Sequence, residues 1–490
     1  MDKLLRGIQS QTIDLCTLDL VMSFANISYY LYYGNDAADS EFMPTELLRE
    51  TFYMALLDFP MLVGRLEADG GGHAKIVVDQ DNLNVPEFLV SQSSVHFRDL
   101  QTSKFSWDAL PDGVSTVGPI TTANSNGDLK VADVHVVRLR DNSGIVMFIS
   151  VAHYAVDGTG YCEFVNRWAE LCRWMRSDQS MNEPPMCNCS YERSTLFDSL
   201  PKDRKALDAP SLDMITATGT LVRWLAWVSP NTCARLFNTS LSLTTNVGHI
   251  FHISTSGLTR LHASVQEHLS SDIRLSDNDV ITALLTMTVA QSEAESKRDS
   301  ASASYLSSLA SYLFPSMYAP DSRFITQVVI DMRPRLNGLS TARYTGNTVF
   351  SSCLVNSMKS LTSDDSQQLL ALIATNVRQL VDYVDPQYIG EFVDTLHKDL
   401  TWFMGPPTYT LTKPTLLLSN QSRFPLYHAD FGNGIPTWVS PVKTYFPNFS
   451  SILPTHPSSS GRIIYICMNE RAMSKILLNK FWMSFADMVY

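Results

Sequence analysis

The residues that could do chemistry are concentrated in Val151-Ala152-His153-Tyr154-Ala155-Val156-Asp157-Gly158, where one histidine is followed four residues later by an aspartate and then a glycine. An unperturbed imidazole titrates near pH ~6.5, so at neutral pH it is largely uncharged and can take a proton from a hydroxyl. General-base assistance of this kind is worth about 10²–10⁴ in rate. The spacing alone leaves two readings open, a catalytic histidine with a structural aspartate or a plain strand end, because in a chain with 11 histidines a His-x-x-x-Asp arises by chance.

The flanking pattern shows what would position this histidine. Val131 to Leu139 and Ile145 to Val151 are apolar, β-branched runs separated by Arg140-Asp141-Asn142-Ser143-Gly144, which predicts a β-hairpin ending at His153. After Gly158 the period changes, and Tyr161, Phe164, Val165, Trp168, Leu171, Cys172 and Met175 fall on one helical face, with Thr159 available as N-cap. His153 is thus expected at a strand-to-helix joint. Elsewhere Phe52, Leu56, Phe59 and Leu62 mark a helix begun near Pro44 and Thr45, and Gly70-Gly71-Gly72 marks a turn. Ile250 to Ser254 and Ile463 to Met468 read as strands; Leu369, Leu370, Ile373, Val377, Leu380 and Val381 form a helix face, and a further helix starts near Arg471. The alternation predicts an α/β protein with an N-terminal domain over 1–185, a proline-punctuated crossover over 186–246 and a C-terminal domain over 247–490.

The 490 residues include 45% hydrophobic and 18% charged positions, so the chain can bury a large core. A formal net charge of -12 argues against nucleic acid or an anionic membrane as partner, since both require a surplus of Lys and Arg. The start of the chain lacks the apolar stretch of a signal peptide, and Leu221 to Val228 is too short to span a bilayer, so a soluble, cytoplasmic protein is expected. The eight cysteines form no paired array, and Cys187-Asn188-Cys189 has no companion ligands; no metal site or disulfide framework is expected, only incidental thiols. His249 and His252 lie in a strand-like run where their spacing places them on opposite faces, against a metal pair. His428 is a second-site candidate that reads more simply as a channel-wall or packing histidine, Trp224 and Trp227 read as packing residues, and Arg193 with Lys202-Asp203-Arg204-Lys205 as a solvated loop, although a phosphate-bearing ligand would need some such basic group.

A second signature lies far downstream, at Asp430-Phe431-Gly432-Asn433-Gly434. Together "HYAVDG" and "DFGNG" resemble the HxxxD(G) and DFGWG signatures of the BAHD family of acyl-CoA-dependent acyltransferases. Ordered lesser elements extend the resemblance over nearly the whole chain. Leu15-Cys16-Thr17-Leu18-Asp19 is similar to LTPxD, Leu56-Leu57-Asp58-Phe59-Pro60 with Gly64-Arg65-Leu66 to LLxxPxxxGRL, and Arg193-Ser194-Thr195-Leu196 to DRSLL. Arg333-Pro334-Arg335 and Tyr344-Thr345-Gly346-Asn347 are similar to the R-x-R and YFGN elements. Several details lean to the fungal branch with trichothecene acetyltransferases.

The resemblance implies a two-domain, chloramphenicol-acetyltransferase-like α/β fold with mixed sheets, helices packed on them and a channel between the domains. It implies acyl transfer from a CoA thioester to a small-molecule alcohol, in preference to an amine, in a ternary complex without an acyl-enzyme. Acyl-CoA would be a co-substrate, no cofactor would be bound, and the protein would be a monomer. His153 would be the base and Asp157 would point away from substrate, ion-paired to Arg333. Gly158, Phe431, Gly432 and Gly434 would be structural, and Asp430 would make a buried pair. Ser419 and Gln421, at the threonine and tryptophan of the family's TSW segment, are candidate donors to the oxyanion. Asn433 departs from the family tryptophan. Other readings are a carrier-protein-dependent condensation enzyme, which Ala152 disfavours by occupying the place of that class's first histidine, a non-catalytic ligand-binding relative, and a hydrolase.

Overall fold

The computed structural model describes residues 2–21, 25–68, 74–116, 128–177, 183–204, 245–270, 272–300, 323–362, 366–398, 415–443 and 448–490. Among these, the strands are β1 Gln11–Asp14, β2 Asn26–Gly34, β3 Arg65–Ala68, β4 Ala74–Val78, β5 Glu87–Gln92, β6 Ala132–Arg138, β7 Gly144–Ala152, β8 Asn246–Ile253, β9 Arg323–Asp331, β10 Val349–Ser357, β11 Thr415–Asn420, β12 Trp438–Pro441, β13 Phe449–Leu453, β14 Arg462–Asn469 and β15 Ala486–Met488. The helices that bear on the site and the cores are α1 Thr45–Asp58, α2 Gly158–Arg176, α3 Asp277–Ser300, α4 Ser366–Tyr383 and α5 Glu470–Leu478.

The strands form a five-stranded sheet, β12-β2-β7-β6-β5, a seven-stranded sheet, β10-β9-β11-β13-β14-β8-β15, and a small sheet, β1-β4-β3. Both large sheets are mixed: β5 runs parallel to β6, and β11 runs parallel to β9 and β13, while the other pairings are antiparallel. The predicted hairpin is present as β6 and β7 in antiparallel register.

Strand periodicity explains the layers. On β2, Leu31 and Tyr33 enter a core with the residues of α1 and α2, whereas Tyr30 and Tyr32 enter a second core with Ile250, Phe449 and Tyr465 of the other large sheet. The opposite face of the seven-stranded sheet packs against α3, α4 and α5. The molecule is therefore helix, sheet, sheet, helix, and β7, with all nine residues buried, lies covered on both faces. Trp168 of α2 anchors the first core: it is fully buried, lies 5.3 Å from the Phe52 ring and 4.9 Å from the Phe431 ring, and donates its indole N–H to the Leu48 carbonyl. Truncating such a side chain costs about 3–5 kcal/mol.

One strand breaks the expected partition into consecutive halves. β12, from the C-terminal region, pairs antiparallel with β2 at the edge of the N-terminal sheet, Trp438 opposite Tyr32. Gly70-Gly71-Gly72, Trp224 and Trp227 lie outside the described residues. Among the described residues no helix is long and apolar enough to cross a membrane.

Candidate active site

β7 ends at Ala152, and His153 begins the turn, its backbone N–H bonded to the Ala25 carbonyl at 2.8 Å. The imidazole meets the C-terminal half of the chain at Asn347, whose Oδ1 lies 2.9 Å from His153 Nδ1. Asn347 Nδ2 donates to the His153 carbonyl and to Asp19 Oδ1, each at 2.8 Å. Both acceptors lack hydrogens, so they fix which end of the amide is nitrogen. Oδ1 must then accept, Nδ1 of His153 carries the proton, and the Nε2 lone pair is left for chemistry. Burial pushes the His153 pKa below 6.5, against the opposing pull of Asp157, its own backbone, Asn347 and Asp19, so the ring is neutral at pH 7.

Asp157 does two structural jobs. Its Oδ1 accepts from the backbone N–H groups of Thr159 and Gly160, both at 3.1 Å, so Asp157 and not Thr159 is the N-cap of α2. The sequence pattern misplaced the cap because both residue types cap helices and only the backbone path separates them. The same carboxylate, fully buried, forms a two-pronged pair with Arg333 at 2.8 and 2.9 Å. Arg333 also donates to the carbonyls of Tyr344 and Gly346 and to Thr348 Oγ1. The expected ion pair is thus present, and it ties the joint to the 344–348 segment that carries Asn347. Gly158 is required by close approach: a Cβ there would stand 2.2 Å from the Phe424 ring.

A second buried pair was not foreseen as part of the site. Asp19, fully buried, binds Arg193 Nε and Nη2 at 3.0 and 3.1 Å, and Arg193 Nη2 also reaches the Ala155 carbonyl. Arg193 is therefore not in a solvated loop; it is 6% exposed. Burial opposes its charge, but Asp19 outweighs that and raises its pKa. Arg204 pairs with Asp394. Asp19 and Asn347 both stand in elements singled out by the resemblance, and that was the available signal; the contact between them joins residues 328 apart.

The DFGNG loop packs against β2 and α2. Phe431 is buried, edge-on to Trp168 and to Tyr33, and the Tyr33 hydroxyl donates to the Ala429 carbonyl at 2.7 Å. Gly432 and Gly434 have φ of +99° and +101°, conformations that favour glycine. Among the described residues the expected buried ion pair of Asp430 is not formed: its Oδ1 accepts the N–H groups of Gly432 and Gly434 at 2.7 and 2.9 Å and closes the loop on itself. A short aspartate two residues before a left-handed glycine satisfies the turn locally, without a partner charge. Asn433 replaces the aromatic with a polar clamp. It donates to Asp39 Oδ2 at 3.0 Å and accepts from the Met43 N–H and from Arg176.

Ser419 and Gln421 lie at the end of β11. Leu416 and Leu418 face the helices, so the alternation turns Ser419 toward the five-stranded sheet. Its register neighbour Ser451 is 1% exposed, and its hydroxyl has no partner among the described residues. Tyr29 of the other sheet donates to Gln421 Oε1 at 2.6 Å, which leaves the Gln421 amide N–H groups as its donors. His428 is exposed at the mouth of a cleft with Cys187 and Cys189. On β8, His252 bonds the Ser460 carbonyl, and no cluster of metal ligands occurs among the described residues.

Two mixed sheets pack face to face between layers of helices, and His153 stands where β7 of one meets the segment leading into β10 of the other. The model of the Transferase family matches residues 6–481, and the chain belongs to that family, the BAHD acyl-CoA-dependent acyltransferases. Among curated relatives, a hydroxycinnamoyl-CoA:5-hydroxyanthranilate N-hydroxycinnamoyltransferase of Avena sativa is 23% identical over 467 residues, covering 93% of this chain and 92% of the relative. Among solved structures, F. sporotrichioides TRI101 complexed with coenzyme A and T-2 has a TM-score of 0.69 at 15% identity, covering 98% of this chain and 100% of that one. Vinorine synthase has a TM-score of 0.56 at 14% identity, with 98% of each chain covered.

Proposed function

We propose that this protein moves an acyl group from a CoA thioester to a hydroxyl of a small-molecule acceptor, with His153 as general base. The observation that carries this reading is the 2.9 Å contact of His153 Nδ1 with Asn347 Oδ1, together with the two acceptors that hold the Asn347 amide nitrogen; these assign the ring proton to Nδ1 and leave Nε2 as the acceptor. A neutral imidazole with a lowered pKa takes the proton of an alcohol as its oxygen attacks the thioester carbonyl. An aliphatic amine acceptor would arrive mostly as ammonium and would first have to lose a proton to a weakened base, which is why the hydroxyl is preferred over that class of amine.

The step joins acceptor oxygen to acyl carbon, passes through a tetrahedral oxyanion and breaks the carbon–sulfur bond; the imidazolium returns its proton to the CoA thiolate. Ser419 and Gln421 are the proposed donors to the oxyanion, an effect worth about 10²–10³ where a single donor has been removed in another enzyme. The unpartnered Ser451 hydroxyl beside Ser419 supports a polar lining at that place. Asp157 and Arg333 hold the loop and take no part in proton transfer, and the clamp at Asn433 supports an intact loop over an eroded, non-catalytic one.

The test is release of free thiol from a panel of acyl-CoAs crossed with an alcohol and amine library, with products read by mass spectrometry. The reading expects thiol release that depends on an alcohol acceptor and falls by about 10²–10⁴ in His153→Ala. Thiol release without acceptor would make the protein a hydrolase, and near-normal turnover by the variant would remove His153 from the mechanism.

A further inference from the structure

The Cys187-Asn188-Cys189 motif is not absorbed by acyl transfer, and the structure gives it a setting that the sequence did not show. Cys187 and Cys189 are half-buried, whereas Met186 and Asn188 are exposed. That alternation is the signature of an extended segment with both thiols on one side. They line a cleft of about 450 Å³ together with Arg167, Glu163, Arg343 and His428. Cys189 Sγ lies 3.8 Å from Glu163 Oε2, and Glu163 is itself paired to Arg343.

We infer that Cys187 and Cys189 are a redox-active thiol pair, open to small peptide disulfides of the glutathione type, and that closing the pair disturbs the segment that seats Asn347. The two thiols are unequal. The Cys189 S–H is directed at the Glu163 carboxylate 3.8 Å away, whose charge opposes a thiolate on that sulfur, while the Cys187 pKa is lowered beside Cys189; burial pushes the thiols of Cys16, Cys162 and Cys172 up. Cys187 is accordingly the attacking sulfur. Its thiolate breaks the peptide disulfide, forming a mixed disulfide and releasing one thiolate. Cys189 then passes its proton, through solvent, to the released thiolate, attacks the Cys187 sulfur and releases the second thiolate, which is protonated from solvent. Two protein thiols are oxidised and one disulfide is reduced to two thiols.

The geometry transmits this change. Two residues of extended chain span roughly 6.6 Å, whereas Cα atoms joined by a disulfide stand about 5.5–6 Å apart. Closing the bond at that usual separation draws Cys189 in by roughly 0.6–1.1 Å, and the residue drawn along is Ser190. Ser190 accepts the Thr345 N–H at 2.8 Å and donates its own N–H to the Ala342 carbonyl at 3.1 Å. Thr345 is two residues from Asn347.

The experiment equilibrates the purified protein in buffers of oxidised and reduced glutathione and reads intact mass, peptide maps and hydrogen–deuterium exchange. The expected result is a loss of about 2 Da mapped to a Cys187–Cys189 link. Cys189→Ser should instead hold glutathione on Cys187, and Cys187→Ser should take up none on the motif. Exchange at the Thr345 amide should rise several-fold on oxidation and return with dithiothreitol. No link, or a link to Cys233, overturns the pair; a link with unchanged exchange at Thr345 overturns the coupling. Any effect on turnover rests on the acyltransferase reading above. If the reduced protein transfers no acyl group, that reading fails, while mass and exchange still decide this one.

Discussion

Asn347→Ala removes the amide that sets the tautomer of His153 without touching the ring. Three hydrogen bonds are lost: the one to Nδ1, the one to the His153 carbonyl and the one to Asp19. The first two are neutral, worth about 0.5–1.5 kcal/mol each, and the third ends on a carboxylate, worth about 1.5–3 kcal/mol. Asp19 keeps Arg193, so its loss falls at the low end, and the variant should be less stable by about 3 kcal/mol, read as a denaturant midpoint at unchanged slope. The kinetic effect is separate. Losing a tautomer preference of about 1 kcal/mol lowers the ratio of reactive to unreactive tautomer about fivefold, and a ring free to tilt loses more, so kcat should fall about 10- to 100-fold with KM little changed. A pH profile separates positioning from mere loosening. Asn347 is one of the groups that raise the His153 pKa against burial, so the acid limb should move to still lower pH in Asn347→Ala. Asn347→Asp keeps an acceptor for Nδ1–H but adds a negative charge, so its limb should move up. A kcat within twofold of the parent, with an unshifted limb in both variants, would refute the tautomer argument.

In the parent enzyme, kcat/KM should be flat above pH 6.5 and fall below it, because the folded pKa of His153 lies under that value. The same shift means that the stability from keeping the ring neutral is complete above pH 6.5 and is lost as pH drops through the folded pKa, which thermal melts across that range would show. His153→Ala should lower turnover by about 10²–10⁴ while its melting temperature stays near the parent value, measured side by side. Asp157→Asn weakens a buried two-pronged pair, for which losing one partner costs about 3–5 kcal/mol, so melting temperature and activity should fall together; inactivity at full stability would place Asp157 in the chemistry itself. Gly158→Ala drives a methyl into the Phe424 ring and should cost about 1–3 kcal/mol. Adding Phe424→Leu should recover part of it, and no recovery would locate the strain elsewhere.

Much of the joint was legible because its signals are local. The hairpin ending at His153, the change to helical period after Gly158 and the buried face from Tyr161 to Cys172 follow from side-chain spacing within one stretch of chain. The Asp157–Arg333 pair was reached only through the resemblance, since nothing in the spacing of residues 176 apart announces a contact. Asn347 shows no role in the sequence for the same reason: its value comes from three contacts with two residues, His153 and Asp19, on two distant segments. Arg193 was misread because a charge in a proline-punctuated stretch usually faces water, and only the buried Asp19 explains its burial. Asp430 shows the opposite error, a distant partner assumed where the two glycine N–H groups beside it suffice.

The strand β12 bears on how the chain comes off the ribosome. Trp438 pairs with Tyr32, 406 positions earlier, so the edge of β2 that it covers has no partner until nearly the whole protein has been made. At bacterial-to-eukaryotic elongation rates of roughly 5–20 residues per second, that interval is about 20–80 s. Throughout it, a strand carrying Tyr29, Tyr30, Leu31, Tyr32 and Tyr33 presents an open backbone edge, the kind of surface on which nascent chains pair with one another. A fragment ending before β12 would keep that edge permanently, and its yield in soluble form should rise when a peptide spanning β12 is supplied during synthesis.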